Sequence, residues 1–148
     1  MHKVFLDTNV YYIGLTYINT NSNIILKNID KFTPVTSPYL VEEVKILFKR
    51  KRGKDWIGRV HDYTSNLQSI HVMEEEITPI LGKYHKYVTD KKDLPHICTY
   101  FASDSDYFVT TNRRLTQMKV KGIVKFMNPK RFVKDVLKIK PIDSIDGI

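Results

Sequence analysis

The sequence predicts an α/β fold of three layers, in which helices cover both faces of a central parallel sheet of four to five strands. Two observations lead to this class. Short apolar segments of strand length alternate along the chain with longer segments of helical periodicity, which is the order found in parallel sheets. The opening segment, Val4-Phe5-Leu6, is apolar without a break, as expected of a strand that is buried on both faces.

The remaining elements are predicted from hydrophobic spacing and from turn residues. Ser37 is expected to cap a helix that has Pro38 at its first position and that stops near Gly53. Pro79 falls inside the early turns of another expected helix. The predicted strands are residues 3–6, 32–36, 69–73, 107–110 and 123–127, and the predicted helices are residues 9–18, 21–31, 38–52, 54–68, 75–88, 94–103 and 129–138.

Length and composition indicate a single domain over residues 1–148, because 148 residues without an internal repeat or linker suffice for one core. No apolar run approaches the length of a membrane span, so a membrane protein is not expected. The single cysteine, Cys98, excludes an internal disulfide framework and a metal site built from several cysteines. With no signal peptide in the sequence, a reduced cytoplasmic location is expected.

The formal net charge of +8 points to a polyanionic partner, because basic surfaces attract phosphate backbones. Six of the basic residues lie within residues 45–54, around the end of the predicted helix 38–52. Helix C-termini favour cations in any case, so part of this cluster has a structural explanation.

Asp7 is the acidic residue that the pattern singles out first, because it follows the first strand directly. In open α/β sheets, ligands bind at the carboxyl ends of the strands. An Asp at that point either caps the next helix or helps to hold a cation, and both interpretations stay open here.

Helical geometry separates the adjacent acids Glu42 and Glu43. At about 100° per residue, Glu43 lies roughly 100° from the centre of the apolar arc of helix 38–52, and Glu42 lies roughly 160° away. Glu42 is therefore expected to face solvent, whereas Glu43 is at the edge of the buried face, where its side chain can reach a cleft above the sheet. A boundary ion pair is the alternative for Glu43.

Asp93 is expected to begin the helix 94–103, either as its N-cap alone or also as an acid aimed at the sheet edge. Asp90 takes its place if the register differs. His96 lies one helical turn later and could approach the same cleft, although a structural histidine is the more common case. Tyr11 or Tyr12 could stack on a base if the polyanionic partner is a nucleic acid.

In this order, these segments resemble the PIN domain, a family of metal-dependent nucleases. The family pattern has Asp-Thr-Asn at the end of the first strand, a Glu in a helix after a Ser, an Asp that opens a later helix, and Val-Thr-x-Asp or Val-Thr-x-Asn. Its counterparts here are Asp7-Thr8-Asn9, Glu43 after Ser37, Asp93, and residues 109–112. The resemblance runs from Lys3 to about Asn112.

The resemblance implies a role for each matching residue. The expected catalytic residues are Asp7, Glu43, Asp93 and Asn112, of which Asp7, Glu43 and Asp93 are the expected metal ligands. The expected positioning residues are Thr8, Asn9 and Thr110. Asn112 adds no charge, and residues 113–115 contain no acid where many relatives have one, so metal binding should be weaker than with four carboxylates.

Three converging carboxylates would repel one another unless a divalent cation lay between them. Oxygen ligands suit Mg²⁺ or Mn²⁺, and such an ion can lower the pKa of bound water and neutralise charge on a phosphoryl oxygen. The expected activity is hydrolysis of RNA phosphodiester bonds by a metal-dependent endoribonuclease. The residues expected to contact RNA phosphates are Lys49, Arg50, Arg52, Arg113 and Arg114.

As a small stand-alone PIN-like protein, this chain resembles the VapC toxins of toxin–antitoxin pairs. That resemblance implies a small antitoxin as partner and a homodimer. A stand-alone PIN nuclease in RNA processing fits the same residues equally well, and two alternatives of other classes also stay open. A PIN-like RNA-binding or scaffold module without catalysis is favoured by the missing fourth acid. A phosphotransferase of the haloacid dehalogenase type also has an Asp after its first strand. It needs a second Asp two residues later, where this chain has Asn9, which counts against this alternative.

Overall fold

The computed structural model describes residues 1–115 and 122–143. Five short strands form one sheet in which all paired neighbours are parallel, in the order β3-β2-β1-β4-β5. The strands are β1 (Lys3–Leu6), β2 (Thr33–Thr36), β3 (Ile70–His71), β4 (Tyr107–Val109) and β5 (Phe126–Met127).

Helices connect the strands and flank the sheet. They are α1 (Thr8–Thr16), α2 (Asn21–Lys27), α3 (Pro38–Arg52), α4 (Ile57–Asn66), α5 (Glu74–Ile77), α6 (Leu81–Tyr84), α7 (Leu94–Ala102) and α8 (Pro129–Asp135). Short 3-10 helices cover Ile29–Lys31, Lys54–Trp56, Thr78–Ile80 and His85–Tyr87.

The central strand β1 is covered on both sides. Val4, Phe5 and Leu6 are each 0% exposed, and successive side chains of a strand point to opposite faces of the sheet. Phe5 packs against Phe108 of the neighbouring strand with their ring centroids 4.6 Å apart. The predicted three-layer α/β/α architecture with a parallel sheet is therefore confirmed, with five strands.

The order of the strands creates a crevice beside β1. From β1 the chain proceeds to β2 and β3 on one side, and it then returns to β4 and β5 on the other side. The segments that follow β1 and β4 consequently leave the sheet in opposite directions, and in open α/β folds such a switch point is where ligands bind. Asp7 follows β1 and Thr110 follows β4, so both residues lie at this point.

The helix predicted over residues 75–88 is interrupted. The structure instead has α5, a 3-10 turn, α6 and a second 3-10 turn. Pro79 explains the first interruption, because proline lacks an N–H group and its ring clashes with the preceding helical turn. The predicted helix 21–31 also divides, at Asn28, whose side-chain amide donates to the Ile24 carbonyl at 2.8 Å and so competes with regular helical bonding.

Two further boundaries differ at the C-terminal side. The strand expected over residues 123–127 is confined to Phe126–Met127, and the last helix ends at Asp135 rather than near Lys138. Lys138 has a φ of 59°, in the left-handed region, which is incompatible with a continuing helix. Within residues 1–115 and 122–143, the structure contains no helix with the length and apolarity that a membrane span requires.

Helix α1, which carries the residues after Asp7, is held close to α2 by Gly14. A Cβ atom added at Gly14 would lie 2.6 Å from Leu26 Cδ1 and 2.8 Å from the Ser22 carbonyl oxygen. The second neighbour is backbone and cannot move aside without displacing α2.

We therefore expect Gly14→Ala to destabilise the protein by about 1–3 kcal/mol through overpacking, despite the gain of up to about 1 kcal/mol in helix propensity. Gly58→Ala is the matched control, because nothing lies within 4 Å of a Cβ added at Gly58 in α4. Urea denaturation of both variants measures the difference. Equal unfolding free energies for the two would contradict the close approach of α1 and α2.

Candidate active site

Asp7 is buried at the carboxyl end of β1 and is held by two hydrogen bonds. Its side chain is 8% exposed. Oδ1 accepts from the Thr8 backbone N–H at 2.8 Å, so Asp7 caps α1, and Oδ2 accepts from Thr110 Oγ1 at 2.8 Å. The capping interpretation and the site interpretation are therefore compatible, because one carboxylate caps a helix and also lies in the crevice.

Glu43 reaches the same crevice from α3. The Ser37 side chain caps this helix by accepting from Leu40 N–H at 3.1 Å, which places Glu43 in its second turn. Glu43 Oε1 accepts from Thr8 Oγ1 at 2.7 Å, and Oε2 accepts from His96 Nε2 at 2.8 Å. Glu42 is exposed, as the helical geometry predicts.

His96 takes part in the site, although the sequence favoured a purely structural role. It is 2% exposed and packs against Phe5 of β1, with ring centroids 5.3 Å apart. Its Nδ1 atom is buried and has no hydrogen-bond partner among the described residues. The sequence did contain a signal that His96 belongs to the site: it lies three residues after Asp93, which puts both residues on one face at the start of α7.

Asp93 directly precedes α7, but its side chain makes no capping hydrogen bond. Burial, together with the charges of Asp7 and Asp90, raises the pKa of Asp93 from 3.8 to about 6. The ordinary N-cap explanation is therefore not realised, and this carboxyl group lies where a negative charge is disfavoured by neighbouring acids.

The four residues expected to be catalytic line one cleft of about 750 Å³. Thr8 and Asn9 also line it, whereas Thr110 is 1% exposed beneath it and contacts Asp7. The cleft lining comprises Asp7, Thr8, Asn9, Pro38, Tyr39, Glu42, Glu43, Ile46, Leu47, Arg50, Glu74, Lys92, Asp93 and Asn112.

Asn112 uses its side-chain oxygen within its own turn. Asn112 Oδ1 accepts from the Arg114 backbone N–H at 3.0 Å, and the Asn112 backbone N–H donates to Thr110 Oγ1 at 3.0 Å. The side-chain oxygen of Asn112 is therefore used within the turn, and its side-chain NH₂ group is the part that can donate a hydrogen bond to an anion.

The basic residues predicted to contact RNA occupy different places. Arg50 lines the cleft, and Lys92 adds a second cation to the lining. Arg52 contacts Tyr12 of α1 and Tyr17, which directly follows α1: Nε donates to the Tyr12 hydroxyl and Nη2 donates to the Tyr17 hydroxyl, both at 3.2 Å. Lys49, Arg113 and Arg114 are exposed outside the lining residues.

Two expected stacking residues are unavailable, because Tyr11 and Tyr12 are 2% and 5% exposed and belong to the core. Tyr39 is the aromatic residue that lines the cleft, and its hydroxyl donates to Glu74 Oε1 at 3.3 Å.

The electrostatics of Glu43 and His96 are coupled. Partial burial acts to raise the pKa of Glu43, but the hydrogen bond and charge of His96, together with the hydrogen bond of Thr8 and the charge of Lys92, hold that pKa below its usual value. Burial acts to lower the pKa of His96, but the hydrogen bond to Glu43 and the negative charge of Asp7 raise that pKa above its usual value. The pair therefore favours a carboxylate beside an N–H donor.

The donor set fits a divalent cation. One ligand atom from each of Asp7, Glu43 and His96 lies within 4.8 Å of the others, and Asp93 adds a further carboxylate to the same cleft. Carboxylate oxygens are the ligands that Mg²⁺ and Mn²⁺ prefer, and a cation would relieve the repulsion that raises the pKa of Asp93.

Comparison with known proteins gives matches in structure but not in sequence. No protein-family model matches the sequence, and the search of curated proteins gives no match. VapBC2 from Rickettsia felis, solved with a DNA fragment from their promoter, matches with a TM-score of 0.66 at 14% identity, over 85% of this chain and 98% of the matched chain.

Two further solved structures are similar. FitAB, solved with the IR36 DNA fragment, gives a TM-score of 0.58 at 18% identity and covers 85% of this chain and 94% of its own. VapC20 of Mycobacterium tuberculosis, described as a Sarcin-Ricin loop cleaving toxin, gives a TM-score of 0.51 at 12% identity. That match covers 71% of this chain and 86% of the VapC20 chain. At these identities the similarity is one of fold.

We expect Asp93→Asn to stabilise the metal-free protein near neutral pH. Because the pKa of Asp93 is raised in the folded state, the folded protein holds this proton more tightly than the unfolded chain does. The resulting stability is fully present below the ordinary pKa of 3.8 and is lost as the pH rises through about 6, where the folded protein must carry the unfavourable charge. The shift corresponds to roughly 3 kcal/mol, which solvent screening at this half-buried group reduces to roughly 1–2 kcal/mol.

Urea denaturation in the presence of EDTA, at pH values on both sides of this window, measures how the unfolding free energy differs from that of wild type. Asp62→Asn is the matched control, because it removes the same charge from an exposed position on α4. An Asp93→Asn variant that is no more stable than wild type at neutral pH would contradict the crowding of negative charge in the cleft.

Proposed function

From the PIN-like fold that this chain shares with the VapC structures, we propose that the protein is a divalent-metal-dependent endoribonuclease that hydrolyses phosphodiester bonds in RNA. The observation that carries the proposal is the convergence of Asp7, Glu43 and Asp93 from three separate elements on one cleft at the sheet's switch point. Asp7, Glu43 and Asp93 are the proposed ligands of one Mg²⁺ or Mn²⁺ ion.

The chain's own residues would hold these ligands in a fixed arrangement. Asp7 is fixed by donors from Thr8 and Thr110, and Glu43 is fixed by donors from Thr8 and His96. Each carboxylate oxygen keeps further acceptor capacity, because it can accept more than one hydrogen bond or ligand. When bound, a divalent cation activates water for attack on phosphorus and neutralises charge on the phosphoryl oxygens.

The lining of the cleft supports single-stranded RNA as the proposed substrate. Tyr39 and the 53% exposed Ile46 provide apolar surface for an unstacked base, and Arg50 and Lys92 provide cations for phosphates. Unpaired bases are the ones that a protein can stack and read, whereas paired bases are hidden in the duplex. Asn112 would donate its side-chain amide to a phosphate at the same cleft.

The proposed protein partners follow from the likeness to VapBC2 and FitAB. We propose that a small antitoxin binds this chain and blocks the cleft, and that the chain forms a homodimer, as the resemblance of its sequence to the VapC toxins implies. Arg113 and Arg114, exposed beside Asn112, are proposed RNA contacts at the rim. A cytoplasmic location is part of the same proposal.

A second candidate function is RNA binding without hydrolysis. It is favoured by Asn112, whose side-chain oxygen is engaged by the Arg114 N–H and which supplies no fourth charge. Metal would then bind weakly or serve only to organise the cleft. Cleavage of RNA by the purified protein separates the two functions.

We expect the purified chain to cleave single-stranded RNA in Mn²⁺ or Mg²⁺ and to be inhibited by EDTA. Asp7→Asn and Glu43→Gln should each reduce cleavage at least about 100-fold, since even residues that only support metal ligands contribute 10- to 100-fold. Glu42→Gln is the matched control, because it removes a neighbouring exposed carboxylate that lines the same cleft. RNA binding without cleavage by the wild-type protein would favour the second candidate.

We expect Arg50→Gln to weaken RNA binding and to lower the slope of log affinity against log salt by about 0.7 to 0.9, the effect of losing one phosphate contact. Fluorescence anisotropy with a labelled single-stranded RNA at several salt concentrations measures the slope. Lys134→Gln, at an exposed position of α8 outside the cleft lining, is the control for loss of charge alone. Equal slopes for the two variants would remove Arg50 from the binding surface.

A further inference from the structure

We propose that His96 is a positioning residue that orients the Glu43 carboxylate for cation binding, and that His96 is not itself a ligand of the cation. This inference rests on the proposed function, because it concerns the same metal site. It assigns a separate role to the third residue of the compact group Asp7, Glu43 and His96.

Glu43 needs external support to serve as a fixed ligand. Its side chain is 43% exposed at the edge of α3, and a long, half-exposed side chain has several rotamers available. Both of its oxygens are nevertheless engaged, with Thr8 Oγ1 at 2.7 Å from Oε1 and His96 Nε2 at 2.8 Å from Oε2. The two donors come from different elements, α1 and α7, and so they fix the carboxylate plane as well as its position.

The direction of the hydrogen bond assigns His96 as a donor. A carboxylate oxygen only accepts, so Nε2 carries the hydrogen that points to Glu43. To bind a cation, Nε2 would have to lose this hydrogen, and the hydrogen of the neutral ring would move to Nδ1. Nδ1 is buried without a partner among residues 1–115 and 122–143, and a buried N–H group without an acceptor is costly.

Metal-binding histidines show the opposite arrangement. They almost always donate their second ring N–H to a carboxylate, a carbonyl or water, which fixes the ring for coordination. His96 offers no such second bond in the described structure, whereas its bond to the proposed ligand Glu43 is short and direct. The geometry is therefore that of a residue that supports a ligand.

The position of His96 in the fold suits this role. The ring is 2% exposed, it packs on Phe5 of β1, and it lies in the first turn of α7 directly after Asp93. β1 leads into Asp7, so one rigid ring connects the elements that carry all three proposed ligand carboxylates. The resulting ligand set contains only oxygen atoms, which favours hard cations such as Mg²⁺ and Mn²⁺ over metals that prefer nitrogen.

Two substitutions distinguish a supporting residue from a ligand. His96→Leu removes the donor and keeps an apolar side chain in the buried site, whereas His96→Gln retains an N–H donor near the position of Nε2. Isothermal titration calorimetry gives the dissociation constants of Mn²⁺ and of Mg²⁺ for the full chain. We expect His96→Leu to bind both ions about 10- to 100-fold more weakly, with an unchanged ratio of the two affinities. We expect His96→Gln to bind them nearly as well as wild type.

Three results would overturn the proposal. The first is binding of both ions by His96→Leu as tight as by wild type. The second is binding by His96→Gln as weak as by His96→Leu with a reduced preference for Mn²⁺, which is the pattern of a lost nitrogen ligand. The third is a long-range ¹H–¹⁵N spectrum of Mg²⁺-loaded wild type in which Nε2 of His96 carries no hydrogen. This spectrum needs no substitution, so the test holds even if His96→Leu fails to fold.

The wild-type titration separates this proposal from the proposed function. If wild type binds neither ion, the proposed function is wrong and the role of His96 fails with it. If wild type binds the ions and cleaves RNA while His96→Leu is indistinguishable from it, only the role of His96 is wrong. Thermal unfolding in EDTA shows whether each variant is folded before metal is added.

Discussion

The structure depends on the burial of one carboxylate, that of Asp7, at the carboxyl end of the central strand. A buried carboxylate is stable only if hydrogen bonds replace its hydration. The Thr8 N–H supplies one from the start of α1, and Thr110 Oγ1 supplies another from the end of β4. The direction in which α1 leaves the sheet and the alignment of β1 with β4 are thus tied to a single side chain. The same two segments diverge there and open the cleft.

The other acids of the cleft are arranged around this fixed point with unequal support. Glu43 is stabilised as a carboxylate by Thr8 and His96, and its pKa is lowered. Asp93 has no capping hydrogen bond, and burial among like charges raises its pKa. Such a cleft is electrostatically unfavourable for the isolated chain and favourable for a cation, which is the general pattern of sites that carry function at some expense of stability.

The sequence allowed much of the fold and part of the site to be predicted, and the errors have physical causes. The helix 38–52 was predicted to the residue because Ser37, Pro38 and Gly53 mark its ends locally. The continuous helix over 75–88 was wrong because Pro79 removes a backbone donor. The hydrogen bonds of Arg52 to the hydroxyls of Tyr12 and Tyr17 were not predicted, because a long side chain takes whichever partners the packing of helices brings within reach.

By itself, the sequence determined the α/β class, the order of strands and helices, and the separation of Glu43 from Glu42, because these follow from interactions between residues a few positions apart. Tertiary structure decided which side chains meet. Asp7 and Thr110 are 103 positions apart, and Glu43 and His96 are 53 apart. No periodicity encodes such pairs. They form because five parallel strands bring the ends of distant segments to one edge of the sheet, where buried polar groups must satisfy one another.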